Sequence, residues 1–227
     1  MTIYREGFAL SRIGYNRLMN LVSLLPTLIG LVLGLTLHEF AHALMGSYLG
    51  DNTAHREGRL SLNPAAHIDP VTTLALPLFL LLIGAPVFAA AKPVPFNPYA
   101  VRFGRWGAAL VAVAGPVTNF LIAAVCAMTL RFVPHGLIAA EILGPIIVVN
   151  LSLFVFNLIP FPPLDGSRVL YAAAPEGLRE IMDQIERAGI VVIFAILFIG
   201  YRFIGPVIYG IVTTLVNFLL PSSFPGL

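Results

Sequence analysis

Charged residues are scarce in this chain. Of its 227 residues only 11% are charged, whereas 58% are hydrophobic and the mean hydropathy is +0.91. Ordinary soluble domains carry about 25% charged residues, and a soluble fold of this size could not bury so large an apolar excess. The composition therefore all but excludes a soluble enzyme or a soluble nucleic-acid-binding protein.

Three further absences narrow the class of protein. Cys126 is the single cysteine, so the chain has neither a disulfide framework nor a thiol-rich metal site. The formal net charge is only +2 and no polybasic tail is present, which gives no case for a nucleic-acid partner. No polar interval is long enough for an independent core, and we find no internal repeat. Residues 1–227 are therefore expected to form a single membrane-embedded domain.

The apolar residues are concentrated in five long stretches. About 20 apolar residues cross the hydrocarbon core of a bilayer, so the sequence predicts an all-α polytopic membrane protein with five or six apolar elements. Within the stretches only Glu39, Glu141 and Arg202 are charged, and nothing in the sequence assigns Arg202 a role. The five stretches span residues 18–49, 71–91, 107–130, 137–159 and 190–220.

Three of these stretches depart from a simple span. Residues 18–49 are too long for one crossing and must tilt, protrude or break near Pro26. Residues 190–220 can form two short crossings divided near Pro206. Prolines 93 and 95 forbid a helix that continues from the middle stretch, so residues 87–96 are expected to form a short extended strand. Such backbone is tolerated at membrane depth only where protein covers it.

The first stretch contains the pattern His-Glu-x-x-His at residues 38–42. On a helix His38 and His42 share one face and can bind one metal ion, while Glu39 lies about 100° away and can act on a bound water. In a random chain of this length and composition, the expected number of occurrences of the pattern is about 0.003. Charges at the centre of a lipid-exposed helix cost about 2.5–3.5 kcal/mol each, which favours a functional cavity over a pair of packing histidines.

A catalytic zinc ion needs a third protein ligand and an open position for water. Asp165 is one candidate, because three prolines precede it and Gly166 follows it, which permits a sharp inward turn. The alternative is that Asp165 caps a helix that begins at Gly166. Glu141, the other acid in an apolar stretch, competes as the third ligand, and the residues alone leave the choice open.

Three ordered motifs resemble the site-2 protease family of intramembrane zinc metalloproteases. They are HEFAH at residues 38–42, GPVTN at residues 115–119, and the series from Asn157 through Pro160 to Asp165-Gly166. The resemblance covers roughly residues 30–170. It implies one zinc ion per chain, bound by His38, His42 and Asp165, with Glu39 as the catalytic acid and base. Residues 58–70 and 92–95 resemble a compact subgroup without the PDZ or CBS modules of larger members.

The activity implied by the resemblance is hydrolysis of peptide bonds in or near the transmembrane helices of membrane proteins. Asn119 and Asn157 lie in apolar stretches and could donate to the oxyanion or the substrate backbone, although inter-helix amide bonds are an equal alternative. His67 is a candidate gate or auxiliary polar group, with a surface histidine in a turn as the alternative.

The extended strand expected over residues 87–96 suggests how a substrate is held. A peptide bond inside a helix is shielded, so the substrate must unwind before it is cut. An unwound segment could add to the edge of this strand, with Val87, Val94 and Phe96 as the docking residues. The expected partners are therefore a transmembrane protein or peptide substrate and the lipid bilayer. The sequence does not indicate an oligomeric state.

The expected metal ligands constrain the topology. His42 and Asp165 must lie on one membrane side, which requires residues 71–96 to enter and return without a net crossing. Eight Lys and Arg residues then lie on the active-site side and four on the other, which predicts a multi-pass protein of the cell (inner) membrane with a cytoplasmic active site. If every stretch crossed the bilayer, nine Lys and Arg residues would lie on one side and three on the other, but His42 and Asp165 would then lie on opposite sides of the membrane.

Two other functions fit parts of the pattern. A polytopic metal transporter could use the His and Asp cluster as an ion site, although it would not need Glu39 as an acid and base and would more often show repeated halves. A membrane-anchored zinc protease acting on soluble or misfolded proteins would require a third ligand other than Asp165.

Overall fold

The computed structural model describes residues 3–76, 79, 82, 90–132, 137–189, 192 and 201–220, with side chains from residue 24 onward except at 74, 137, 138 and 201. These ranges contain a 3₁₀ turn at Pro64–Ala66, a π-helical turn at Pro70–Ala75, and no β-strand. The α-helices are α1 (Ile3–Leu49), α2 (Thr53–Arg56), α3 (Gly104–Phe132), α4 (Leu137–Asn157), α5 (Gly166–Ala173), α6 (Glu176–Arg187) and α7 (Tyr201–Leu219).

Within the described ranges, four helices are long and apolar enough to cross a bilayer. The candidate spans are Leu24–Leu49 in α1, Gly104–Phe132, Ala139–Asn157 in α4 and Arg202–Leu219 in α7. Large apolar side chains such as Leu25, Val125 and Phe218 point outward, as expected for helices that face lipid. The all-helical membrane fold expected from the sequence is therefore confirmed.

The helix break that was one alternative at Pro26 and the division considered near Pro206 are not present. Helix α1 runs without interruption through Pro26, and α7 does the same through Pro206. A proline removes one backbone hydrogen bond, which a long helix packed among others tolerates. At about 1.5 Å per residue α1 is about 70 Å long, so of the three alternatives it protrudes beyond a single crossing.

The short strand expected over residues 87–96 is not present in residues 90–96, the part of it that the structure describes. Residues 90–97 are neither helical nor paired with a neighbouring strand. Their backbone N–H groups bond instead to the π-helical turn, to the preceding loop and to side chains. Val87 lies outside the described residues.

Helices α1, α3 and α4 pack together, so that the end of α1, the start of α3 and the end of α4 lie at the same end of the bundle. The N–H of Arg102, just before α3, donates to Leu49 O at the end of α1 over 2.9 Å. Along α1, Gly30 packs on Ile146 of α4 and Gly34 packs on Asn150, so α1 and α4 run in the same direction. The end of α4 therefore returns to the same end of the bundle as the end of α1. A separate apolar core joins α3, α4 and α7.

The turn after α1 is held by one buried carboxylate. Gly50 adopts a φ of +114°, a conformation that favours glycine, and ends the helix. Asp51 then accepts hydrogen bonds from the N–H and hydroxyl of Thr53 and from the N–H of Asn97. Burial raises the pKa of Asp51, but these hydrogen bonds and the charge of Arg56 lower it by more than burial raises it. The pKa of Asp51 therefore lies below its ordinary value.

Candidate active site

The two histidines of the sequence motif lie side by side on α1 with their Nε2 atoms facing each other. His42 Nδ1 is 2.8 Å from Val111 O, and His38 Nδ1 is 2.6 Å from Asn119 Oδ1. A carbonyl oxygen only accepts, so each Nδ1 carries the hydrogen and each neutral ring presents a lone pair at Nε2. Both rings are thus oriented as metal ligands are.

Asp165 reaches the histidines from the other side of the fold. It stands directly before α5, yet its side chain makes no capping hydrogen bond with that helix. A Cβ at Gly166 would lie 2.2 Å from Leu158 O, so only glycine lets α5 begin this close to the chain leaving α4. This packing turns Asp165 inward and decides against the helix-cap alternative.

The three side chains form a compact triangle of ligand atoms. His38 Nε2 and His42 Nε2 are 3.0 Å apart, and Asp165 Oδ2 lies 3.1 and 3.4 Å from them, respectively. Ligands of a tetrahedral zinc ion at 2.0–2.2 Å from the metal are separated by about 3.3 Å. The donor set and its spacing therefore fit zinc, and these three residues could hold the ion. Glu141, the competing ligand, is not part of the cluster.

Two further observations support a metal at this position. Asp165 Oδ2 is buried and accepts no hydrogen bond among the described residues. Two facing imidazole lone pairs and a carboxylate oxygen repel one another unless a cation lies between them. Gly115 leaves the required space, because a Cβ there would lie 2.4 Å from His42 Nε2 and 2.7 Å from His38 Nε2.

Glu39 is buried and shares one cavity with this cluster. The cavity has a volume of about 410 Å³ and is lined by Glu39, His42 and Asp165, among others. Glu39 Oε2 accepts a hydrogen bond of 3.0 Å from the N–H of Val94. A carboxylate held by one oxygen beside a ligand triangle has its second oxygen available for proton transfer.

The comparisons with known proteins agree with this geometry. Residues 135–200 match the model of Peptidase family M50. The protein named "Putative zinc metalloprotease YwhC" of Bacillus subtilis is 38% identical over 189 residues, which cover 78% of this chain and 82% of the relative. The chain belongs to peptidase family M50, the site-2 protease family.

A second relative points the same way. The protein named "Putative zinc metalloprotease Rip2" of Mycobacterium tuberculosis is 30% identical over 185 residues, which cover 80% of this chain and 67% of the relative. No solved structure matches this M50 chain significantly. Family membership confirms the resemblance seen in the motifs and makes the protein a membrane metalloprotease with zinc as its cofactor.

The structure favours the inter-helix alternative for Asn119 over the oxyanion role. Its Oδ1 accepts from His38, while its two amide hydrogens go to Gly34 O at 3.1 Å and to Asn150 Oδ1 at 3.0 Å. The side chain is fully buried and has no donor left for a substrate. Asn119 orients a metal ligand instead, because the helix packing directs its amide away from the cavity. Asn157 donates to Leu153 O one turn earlier and does not line the cavity.

The remaining predicted residues lie on the cavity wall or behind it. Val94 and Phe96 line the cavity, as expected for docking residues. His67 is only 2% exposed and lies behind the wall, so it is neither a surface histidine nor part of the lining. Its ring bonds to Ser61 O, and its carbonyl accepts the N–H of Lys92 over 2.8 Å.

Sequence reasoning missed two residues that the structure connects to the metal cluster, Gly115 by direct contact and Asn150 through Asn119. Gly115 is part of the GPVTN motif, but its contact with both Nε2 atoms depends on helix packing. Asn150 is a lone amide in an apolar helix, and the same signal that marked Asn119 and Asn157 could have identified it.

Proposed function

We propose that this chain is an intramembrane zinc endopeptidase of the site-2 type, which hydrolyses peptide bonds in or near the transmembrane helices of membrane proteins. The observation that carries the proposal is a cluster of His38, His42 and Asp165 whose last two members share one cavity with Glu39, in a bundle of candidate membrane spans. Membership of family M50 supports it.

The chemistry requires a ligand set, a base and a water-accessible cavity. A zinc ion supplies Lewis-acid polarisation of the scissile carbonyl and makes an attacking water more acidic. Glu39 accepts the water proton on the oxygen that Val94 does not bind, and then donates it to the leaving amine. The bond from Val94 holds the carboxylate in one orientation, so the base is in place before the substrate arrives.

The segment of residues 90–97 is the proposed docking element. Its alternate residues bond into the protein: Ala90 to Thr72, Lys92 to His67 and Arg59, and Val94 to Glu39. In an extended chain the intervening residues direct their backbone groups to the opposite side.

That opposite side carries the carbonyls of Ala91, Pro93 and Pro95, which make no hydrogen bond to any described residue. The two prolines also lack an N–H, so the free edge offers acceptors almost exclusively. An unwound substrate would dock there by donating its own N–H groups, with Val94 and Phe96 as side-chain contacts.

The topology proposal is that residues 71–96 do not cross the bilayer. The N–H of Ala90 donates to Thr72 O at 3.1 Å, and the hydroxyl of Thr73 donates to Ala90 O at 2.6 Å. The chain therefore leaves and returns at one point, which supports a segment that enters and exits on the same side. With the positive-inside rule, the active-site end faces the cytoplasm of a cell (inner) membrane.

Cysteine accessibility in intact cells tests this topology. Cys126 is the sole native cysteine, so Cys126→Ser provides a background for single cysteines at Glu57, Tyr99 and Phe132, all of which are exposed. We expect an impermeant thiol reagent to treat positions 57 and 99 alike and position 132 oppositely. Different labelling of positions 57 and 99 would refute the proposed topology.

Glu39→Gln tests the catalytic proposal. Loss of the carboxylate should abolish cleavage of a membrane substrate while zinc remains near one ion per chain, because Glu39 is not in the ligand cluster. Glu141→Gln is the matched control, since it removes an equally rare acid of an apolar stretch that does not line the cavity. Cleavage retained by Glu39→Gln would end the protease assignment of this site.

The substrate can be sought with the same pair of proteins. Quantifying fragments of membrane proteins in cells that express the active enzyme or Glu39→Gln should reveal peptides that depend on the active enzyme. We expect the cut sites to lie in or near transmembrane helices. Cut sites confined to soluble proteins would contradict the proposed substrate class.

A further inference from the structure

We propose that Asn150 of α4 is a positioning residue that fixes the ring orientation of His38 through Asn119. The inference rests on the proposed role of His38 as a zinc ligand. Asn150 is fully buried in a candidate membrane span and contacts no ligand atom directly. A buried carboxamide is costly in such a place unless all its polar groups are bonded, and here its bonds form a directed chain.

The direction of that chain is set by backbone carbonyls, which only accept hydrogen bonds. Asn150 Nδ2 lies 3.3 Å from Gly30 O and 2.9 Å from Ile146 O. Both partners are acceptors, so the NH₂ group of Asn150 must face them. Its Oδ1 must then face Asn119, where it accepts a hydrogen bond of 3.0 Å.

Asn119 transmits this orientation to the histidine. Its Nδ2 donates to Asn150 Oδ1 and to Gly34 O, so its Oδ1 must point to His38. An acceptor 2.6 Å from His38 Nδ1 places the hydrogen on that nitrogen and leaves the lone pair on Nε2. Rotating either amide by 180° would set like groups against each other at several contacts. The two asparagines thus select one tautomer of His38.

Close helix packing makes this chain possible. Gly30 and Gly34 lie one turn apart on α1, and the absence of side chains lets amides from α3 and α4 reach the α1 carbonyls. A Cβ at Gly34 would lie 2.6 Å from Asn150 Oδ1 and 3.2 Å from Asn119 Nδ2. The two glycines of α1 are therefore required for the hydrogen bonds that orient Asn119 and Asn150.

The chain of bonds predicts a specific pattern of zinc affinities. Residues that orient a metal-bound histidine typically change metal affinity by about 10–100-fold when they are replaced. We expect Asn119→Leu to weaken zinc binding within that range. Asn150→Leu should weaken it by about 3–10-fold, because Asn119 then keeps its bond to Gly34 O. Leucine has the same number and branching of side-chain heavy atoms as asparagine, so both replacements remove the polar groups without changing the connectivity of the side chain, although its methyl groups are bulkier.

A double-mutant cycle measured by chelator competition on the purified full chain tests the proposal. Because Asn150 acts only through Asn119, adding Asn150→Leu to Asn119→Leu should cause no further loss of zinc affinity. Ser152→Ala is the control, since Ser152 bonds only to Val148 O in its own helix and should leave zinc affinity unchanged. The Tm of the metal-free proteins shows whether a variant has lost its fold.

The outcomes separate this inference from the proposed function. Losses that add in the double variant, or an Asn150→Leu protein with wild-type zinc affinity, would overturn the role of Asn150 while the zinc site stands. If Asn150→Leu does not fold, the same cycle with Asn150→Ala gives the test, because that change also removes the bond to Asn119 and adds no bulk. A wild-type chain that binds no zinc would instead refute the proposed function itself.

Discussion

Gly115→Ala should remove zinc binding while the fold survives. The added Cβ would lie 2.4 Å from His42 Nε2 and 2.7 Å from His38 Nε2, whereas ordinary contacts begin at 3.4 Å. The two nitrogens must therefore retreat by about 1.0 and 0.7 Å, respectively. Metal–ligand distances tolerate only about 0.2 Å, so the triangle of ligand atoms can no longer hold the ion.

The expected size of the effect follows from that displacement. Replacing residues that merely support a ligand costs about 10–100-fold in metal affinity, and here the ligand atoms themselves are moved. We therefore expect zinc affinity to fall by more than about 100-fold, which corresponds to about 2.8 kcal/mol. The atoms that collide are ring ends that can rotate away, so the Tm of the metal-free protein should change little.

Chelator competition and metal analysis of the purified protein measure this loss, and Gly210→Ala is the matched control. Gly210 also lies in a candidate membrane span, but a Cβ there meets nothing within 4 Å. That variant should bind zinc as the wild type does. Wild-type affinity in Gly115→Ala, or an equal loss in both variants, would refute the reasoning that Gly115 makes room for the metal ligands.

Two further predictions concern the loops around the cavity. Arg59 is buried and donates to Lys92 O at 2.6 Å, so Arg59→Met should raise KM about tenfold with the zinc content unchanged. The control Arg102→Met alters an exposed side chain and should leave KM unchanged. A fall in the zinc content of Arg59→Met would contradict this prediction. Because the pKa of Asp51 is lowered in the fold, its stabilisation is complete above its ordinary pKa of 3.8 and is lost as pH falls below it. The difference in Tm between the wild type and Asp51→Asn should therefore be constant near neutral pH and become smaller below pH 3.8. A difference that does not change with pH would show that the charge of the carboxylate does not strengthen its hydrogen bond with the N–H of Asn97.

Local patterns predicted the fold class and two of the three candidate metal ligands. The length of the apolar stretches indicated membrane helices because a bilayer core has a fixed thickness. The spacing of His38 and His42 placed both on one face because helix periodicity is a local property. The same local reasoning left the alternatives at Pro26 open and wrongly allowed a division near Pro206, since neighbouring helices stabilise a proline-containing helix and no window of sequence contains those neighbours.

The assignments that depended on distant contacts could not be made from the residues. Asp165 and Glu141 were both open as the third ligand until the resemblance favoured Asp165, and the structure places Asp165 with the histidines. Asn119 was open between a contact with substrate and an inter-helix amide bond, and its bonds to His38, Gly34 and Asn150 leave no free donor for a substrate. A polar residue in an apolar stretch signals a function, and only its partners show which one.

The sequence by itself determined that this chain belongs in a bilayer and carries a pair of histidines with a glutamate beside them. Those conclusions depend on composition and on the helical repeat, which act over a few residues. Tertiary structure decided the rest: the closing of the ligand triangle by Asp165, the space left by Gly115, and the bond from Val94 to Glu39. Each joins residues far apart in the chain, so each exists only after the helices have packed.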